Sequence, residues 1–185
     1  HVGIHYYDIE TGKFTHYYEH NVKGLGGLKN YIACDDGRGN LYVGHDGKGM
    51  SVISLKDHTI KRYQHVSDDP DSLPGRLVVA LCVDEQRNIW VGTNKGLSIF
   101  NPATEKFTTF RHIPGDENSL LSNQVLDIKQ MRDGRLWICT NMGGVSILDM
   151  QQNAFTSPTH IHFQNIPATN DVHGLSGPNA RCAFQ

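Results

Sequence analysis

One short pattern returns along this chain at an almost constant interval, and it restricts the fold more than any other feature. Asn40-Leu41-Tyr42-Val43-Gly44, Asn88-Ile89-Trp90-Val91-Gly92 and Arg135-Leu136-Trp137-Ile138-Cys139 are three versions of it, with Leu41 and Ile89 48 residues apart and Ile89 and Leu136 47 apart. A glycine keeps the same beat at Gly3, Gly49, Gly96 and Gly144, in steps of 46, 47 and 48. So does an apolar position at Phe14, Ile60, Phe107 and Phe155. Three landmarks in step define a repeating structural unit, each too small to bury its own apolar faces and therefore stacked on its neighbours.

Each period divides into four short strands. In the clearest unit, 78–84 is an apolar run suited to a strand covered on both faces, 88–93 carries Trp90, 96–101 follows, and 107–112 is the most polar. Asn101-Pro102-Ala103-Thr104-Glu105-Lys106 and Met131-Arg132-Asp133-Gly134-Arg135 have turn composition between strands. Polarity rising from first strand to fourth is what radial packing requires, with the first strand on a crowded axis and the fourth against solvent. A four-stranded unit of about 40–50 residues is the signature of a propeller blade. The expected fold is all-β, a β-propeller of four-stranded antiparallel blades and an incomplete one, forming a single partial domain over 1–185. Blade pieces are expected at 1–20, 30–65, 77–112, 125–162 and 179–185. The last rests on the likeness of Asn179-Ala180-Arg181-Cys182-Ala183-Phe184 to Gln124-Val125-Leu126-Asp127-Ile128-Lys129. On this reading the chain begins and ends in mid-blade, and its open faces call for further blades or a partner.

Composition narrows the partners. Hydrophobic residues make up 38% and charged residues 19%, the balance of an ordinary folded domain, and a formal charge of −2 offers no basic field for nucleic acid or an acidic membrane surface. No apolar stretch approaches the ~20 residues that span a bilayer. His1-Val2-Gly3-Ile4-His5 is not a signal peptide, so the chain is read as cytosolic or as following a leader outside it. The four cysteines, Cys34, Cys82, Cys139 and Cys182, form no CxxC and sit in apolar strand-like runs, where free thiols behave as small hydrophobes; disulfides are not expected.

Asp133-Gly134-Arg135-Leu136-Trp137-Ile138, Asn88-Ile89-Trp90-Val91-Gly92-Thr93-Asn94-Lys95-Gly96-Leu97 and Ser119-Leu120-Leu121-Ser122-Asn123-Gln124-Val125 resemble two-component regulator propeller repeats. The resemblance covers nearly the whole chain. It implies a periplasmic sensor segment of a Bacteroides-type hybrid two-component histidine kinase, carried by an inner-membrane protein. In such proteins paired propellers precede a β-sandwich, a membrane helix and the kinase, and the ligands are breakdown products of polysaccharides. The linker at Lys23–Lys29 is shorter than the pattern, and one at Ile161–Gly177 is longer by about eight residues.

Local motifs yield to the repeat. His16-Tyr17-Tyr18-Glu19-His20 spells an inverted zinc-protease motif, but on an outer strand residues four apart lie ~13 Å apart, too far to share a zinc bound at ~2 Å. His65, His112 and His160 share one repeat position; neighbouring blades diverge there, so they are read as solvated strand-end residues. Gly44-His45-Asp46-Gly47-Lys48-Gly49 lacks phosphate-loop spacing and precedes a strand, as a hairpin does. Tyr42, Trp90 and Trp137 could stack on sugars, yet mid-strand in every blade they are read as packing residues. Asp68–Leu73 and Gly115–Leu120 align at 47 residues and are read as blade connections with Asx turns rather than calcium loops. Arg76, Asn123, Asn179 and Arg181 begin innermost strands, where they can meet a ligand or bond between blades; no ligand-binding residue is assigned.

The expectations are thus a non-enzymatic sensor segment with no catalytic residue, metal or cofactor. Its expected partners are an oligosaccharide-like ligand and the remaining blades or a second copy of the chain, including a homodimer, with no nucleic acid and no direct membrane contact. The alternatives are a scaffold for protein partners or a propeller lyase or hydrolase.

Overall fold

The computed structural model describes residues 3–18, 25, 30–150 and 161–168. Two strands come first, β1 (Ile4–Asp8) and β2 (Lys13–Tyr17), paired as a hairpin. Three complete sheets follow, each an antiparallel meander whose strands neighbour in chain order. The first holds β3 (Asn30–Asp35), β4 (Asn40–His45), β5 (Gly49–Ser54) and β6 (Ile60–Tyr63). The second holds β7 (Val78–Val83), β8 (Ile89–Thr93), β9 (Gly96–Asn101) and β10 (Lys106–Phe110). The third holds β11 (Val125–Gln130), β12 (Leu136–Thr140), β13 (Gly144–Leu148) and β14 (Phe163–Pro167). The chain is an all-β propeller arc, as the repeat predicts.

The first strands line up along the inner side: β7 packs against β3 and β4, and β11 against β7 and β8. Each first strand carries a register shift at the same repeat position, between Asn30 and Ile32, Val78 and Ala80, and Val125 and Asp127. A bulge adds local twist, so its recurrence turns each sheet in the same way. Because sheets stack face to face, second strands are covered on both sides, and every residue of β8 is buried. That is why its sequence, Ile-Trp-Val-Gly-Thr, shows no alternation of apolar with polar residues.

The core lies between blades. Trp90, Leu97 and Phe110 of the second sheet meet Leu136, Ile138, Leu148 and Phe163 of the third. Tyr42 and Met50 of the first meet Ile89, Val91, Phe100 and Phe107 of the second. Tyr42 and Trp90 are thus packing residues, as read. Between Tyr17 and the next sheet, Val43 and Ile53 repeat the arrangement.

The glycine landmark has a steric origin. Gly96 opens β9 at φ +141°, where a Cβ would lie 2.8 Å from the Phe110 carbonyl oxygen, and at Gly144 (φ +105°) it would lie 2.2 Å from that of Ile166. On the preceding strand, a Cβ on Gly92 would fall 2.6 Å from Val125 Cγ1, on the first strand of the next blade. The third blade carries Cys139 at that position, and Cys139 is disulfide-bonded. The reading of the cysteines as unbonded therefore holds for Cys34 and Cys82, which are free, and fails for Cys139. Burial and the neighbouring Cys82, Asp35 and Asp36 push the Cys34 thiol up to about 12, so it is inert as a nucleophile.

One strand position also needs correction. The fourth strand of the third sheet is Phe163–Pro167, beyond the 125–162 span expected for that blade. Gly96 and Phe107 are 11 residues apart, whereas Gly144 and Phe163 are 19 apart. The eight extra residues therefore precede the outer strand rather than follow it, and Phe155, the expected landmark, lies outside the described residues, as do 179–185.

Candidate binding cleft between the second and third complete blades

The connection from β10 to β11 crosses one face of the arc and is built twice on the same plan. The Ser119 hydroxyl accepts the Ile113 amide at 2.9 Å and donates to the Asp116 carbonyl at 2.9 Å; Ser72, 47 residues earlier, accepts from Val66 at 3.0 Å and donates to Asp69 at 2.8 Å. Asx turns set the tips: Asp116 Oδ1 accepts the Asn118 amide at 2.9 Å, and Asp69 Oδ1 that of Asp71 at 3.0 Å. Each connection is then tied to the next outer strand, by Phe163 N to the Asn118 carbonyl (2.9 Å) and Phe107 N to that of Asp71 (2.8 Å). These are the blade connections the acidic runs were expected to form.

The histidines at the repeat position close the same connections. His65 Nδ1 meets the Leu73 carbonyl at 2.8 Å and His112 Nδ1 that of Leu120 at 2.7 Å, so each ring ties down a loop instead of being merely solvated. His160 lies outside the described residues.

The two junctions part company at the outer strand. In the second blade Thr109 bonds Ser98 across the sheet at 2.9 Å. Its counterpart in the third blade, Asn165, faces Ser146 in register but turns its amide to the loop, with Nδ2 donating to the carbonyls of Glu117 at 2.7 Å and Ser119 at 2.9 Å. Ser146 Oγ is left to accept the Leu121 amide at 3.1 Å. Between this loop and β14 lies a cleft of ≈ 590 Å³, with Leu120 and Phe163 among its apolar lining and His112, Asp116, Glu117 and Asn165 among its polar lining. A second cleft of ≈ 410 Å³ lies by the same connection, along Thr109, Arg111, Ile161 and His162.

The polar residues singled out at the inner strands do other work. Asn123 Oδ1 accepts the His112 amide at 2.8 Å, a bond between blades. The Arg76 side chain is exposed, and its carbonyl accepts the Gly49 amide at 2.9 Å. Asn179 and Arg181 lie outside the described residues. His16, from the apparent zinc motif, stands on β2 opposite His5, with their Nδ1 atoms 2.7 Å apart; Glu19 and His20 are not among the described residues. No group of three His, Cys, Asp or Glu residues among the described ones is placed to hold a metal ion.

A buried clasp holds the turn between first and second strands, and the motifs read from the sequence do not include it. Asp84 accepts the Asn88 amide and its Nδ2, each at 2.7 Å, and the Trp90 indole at 2.8 Å. Asp36 holds Asn40 and the Tyr42 hydroxyl in the same way. The shared spacing, Asp-x3-Asn-x-aromatic, was the available signal. The third blade replaces the aspartate and asparagine with Met131 and Arg135.

Comparison with known proteins agrees with this geometry. The family description two component regulator propeller matches residues 72–95, the connection and first strand of the second complete blade together with β8. No curated protein sequence matches the chain. The extracellular domain of a proposed hybrid two component system from B. thetaiotaomicron is 38% identical over 100% of this chain, with a TM-score of 0.75. A second B. thetaiotaomicron extracellular domain, also described as part of a hybrid two component system, shares the fold at 22% identity over 87% of the chain and a TM-score of 0.64. The chain spans 21% and 22% of those two structures. The blade interval, the sheet topology and the identity running the length of the chain coincide, and the chain belongs to the two-component regulator propellers.

Proposed function

We propose that this chain is part of the ligand-sensing ectodomain of a hybrid two-component sensor, outside the cytoplasm and anchored through the inner membrane by the whole protein. The observation that carries this reading is the 38% identity over the full chain to the extracellular domain of a hybrid two component system. The disulfide at Cys139 fits it, because such bonds persist in oxidising compartments. The proposed ligand is an oligosaccharide released from a complex polysaccharide, and its binding changes how propeller blades or subunits pack. The segment itself does no catalysis in this scheme; a kinase belongs to the whole protein.

The β1–β2 hairpin bears on the partners. Tyr7 and Phe14 hold the repeat positions of Phe100 and Phe107, which are 2% and 3% exposed, packed near Tyr63 of the preceding blade. On the hairpin the same face is open, with Tyr7 49% and Phe14 61% exposed. Its proposed occupant is another blade of this repeat, presenting a ring where Tyr63 stands. Calorimetric titration of the complete ectodomain with a broad panel of oligosaccharides tests the sensor. Saturable heat from one class supports it. No heat across the panel, with protein partners captured instead, moves the assignment to a scaffold.

A further inference from the structure

We propose that His5 and His16, paired across the β1–β2 hairpin, form a two-histidine site for a divalent copper ion. The two residues stand directly opposite each other in the register, both are exposed, and their Nδ1 atoms lie 2.7 Å apart. A contact of that length leaves room for a single hydrogen, so one ring donates Nδ1–H and the other presents its lone pair. An ion that takes both lone pairs asks only that the donating ring carry its hydrogen on Nε2 instead. Two nitrogens each about 2.0 Å from one ion stand about 2.8 Å apart at a right angle and about 3.3 Å apart at the tetrahedral angle. The observed separation matches the right angle, which is the tetragonal arrangement of copper(II), and copper is the divalent first-row ion that nitrogen ligands hold most tightly. Water fills the remaining positions, since no third His, Cys, Asp or Glu among the described residues joins the pair.

Neighbouring rings hold the pair in place. His16 is stacked between Phe14, with centroids 5.9 Å apart and planes at 8°, and Tyr18, at 6.1 Å and 20°. His5 meets the edge of the same Tyr18 at 5.6 Å and 75°. Ligands fixed on strands by packed neighbours give up little freedom when an ion arrives. The repeat marks the pair as a departure. The same two positions hold Ser98 and Thr109 in the second complete blade, joined at 2.9 Å, Ser146 and Asn165 in the third, and Ser51 and Arg62 in the first. Among the described residues only the hairpin puts two metal-ligating side chains there. The partner of His16 is therefore found across the ladder: a residue four places along the strand is ~13 Å away, whereas His5 is in contact. A blade docked on Tyr7 and Phe14 would cover these rings as Ser98 is covered in the second blade, so in the whole protein the ion would lie at a blade junction.

Proton NMR of the 185-residue chain, titrated with copper(II) chloride near neutral pH, tests the site. Paramagnetic broadening should strike the ring signals of His5 and His16 together, at the same copper concentration. His5→Ser and His16→Thr install the residues of the second blade, and each should abolish the broadening of the histidine that remains. Broadening of His5 that survives His16→Thr, or of His16 that survives His5→Ser, would mean that single rings bind independently and overturns the proposal. The native titration decides by itself if either variant fails to fold. Copper taken up at other histidines with both of these rings unaffected, or one ring broadened well before the other, overturns the proposal as well.

Discussion

Replacing His45 with threonine should remove a large part of the acid sensitivity of this fold. His45 ends β4, is fully buried and places Nε2 2.8 Å from Ser51 Oγ. The other two complete blades carry Thr93 and Thr140 here, and each donates to the carbonyl of the glycine that opens the next strand, at 3.0 Å. Burial, assisted by Arg62, pulls the His45 pKa from 6.5 down to about 4. The unfolded chain therefore takes up a proton near pH 6.5 that the native state refuses until about pH 4. Stability is fully present above 6.5 and falls as pH drops through this window, by at most about 1.4 kcal/mol per pH unit from this residue and about 3 kcal/mol in all. Urea unfolding of the native chain and His45→Thr at pH 7.0 and 4.5 isolates the contribution, because every other titrating group is common to both. The variant should lose about 2–3 kcal/mol less than the native chain between the two pH values. Parallel losses, within about 0.5 kcal/mol, would refute the argument that a neutral buried imidazole is enforced here.

Three further outcomes follow from packing. Asp84→Ala strips the buried Trp90 indole and Asn88 of their shared acceptor and should cost about 3 kcal/mol in chemical denaturation, whereas removing the exposed Asp133 should cost under about 1 kcal/mol. Gly92→Ala forces a methyl to within 2.6 Å of Val125 Cγ1 and 2.8 Å of Ala80 Cβ; a loss of about 1–3 kcal/mol is expected, and an unchanged melting temperature would mean the blades do not approach this closely. Iodoacetamide with mass-spectrometric mapping should leave Cys139 unlabelled until a reductant is added, while Cys34 and Cys82 label on unfolding without reductant; early labelling of Cys139 contradicts the disulfide.

Most of the fold could be read in advance because blade stacking imposes the same demands on every unit. The aromatic of the second strand, the glycine that opens the third and the apolar residue of the fourth recur because each meets the same neighbour, as Trp90, Gly96 and Phe107 show. The reading failed where a blade departs from the average. β14 was put too early because Phe155 falls on the beat, and an extension between β13 and β14 cannot be seen by an argument built on constant spacing. Cys139 reads as one more buried thiol because its apolar context says nothing of which way the side chain points; its equivalence to Gly44 and Gly92, both pressed against the following blade, holds the clue. The cleft was invisible for a different reason. Asn165 acts through two backbone carbonyls about 46 residues away, and such acceptors have no signature in side-chain sequence.

These departures are not spread evenly. The third blade alone replaces the Asp–Asn clasp with Met131 and Arg135, fills the glycine position with Cys139 and lengthens the path to its outer strand, where it carries Asn165 against Thr109 in the second blade and Arg62 in the first. In a repeat protein each blade faces the same packing problem, so a residue that differs from its equivalents is released from that problem or given another one. Met131 and Arg135 show release from the buried clasp, since the carboxylate at that turn is the exposed Asp133, which accepts the Arg135 amide at 3.0 Å and its Nε at 2.7 Å. Asn165 shows the opposite, because it gives up a hydroxyl pair inside the sheet to clamp a loop and holds a buried acceptor unpaired. Thr109 and Asn165 thus solve one repeat position in two ways, the first by a hydroxyl pair inside the sheet and the second by a clamp on the connecting loop.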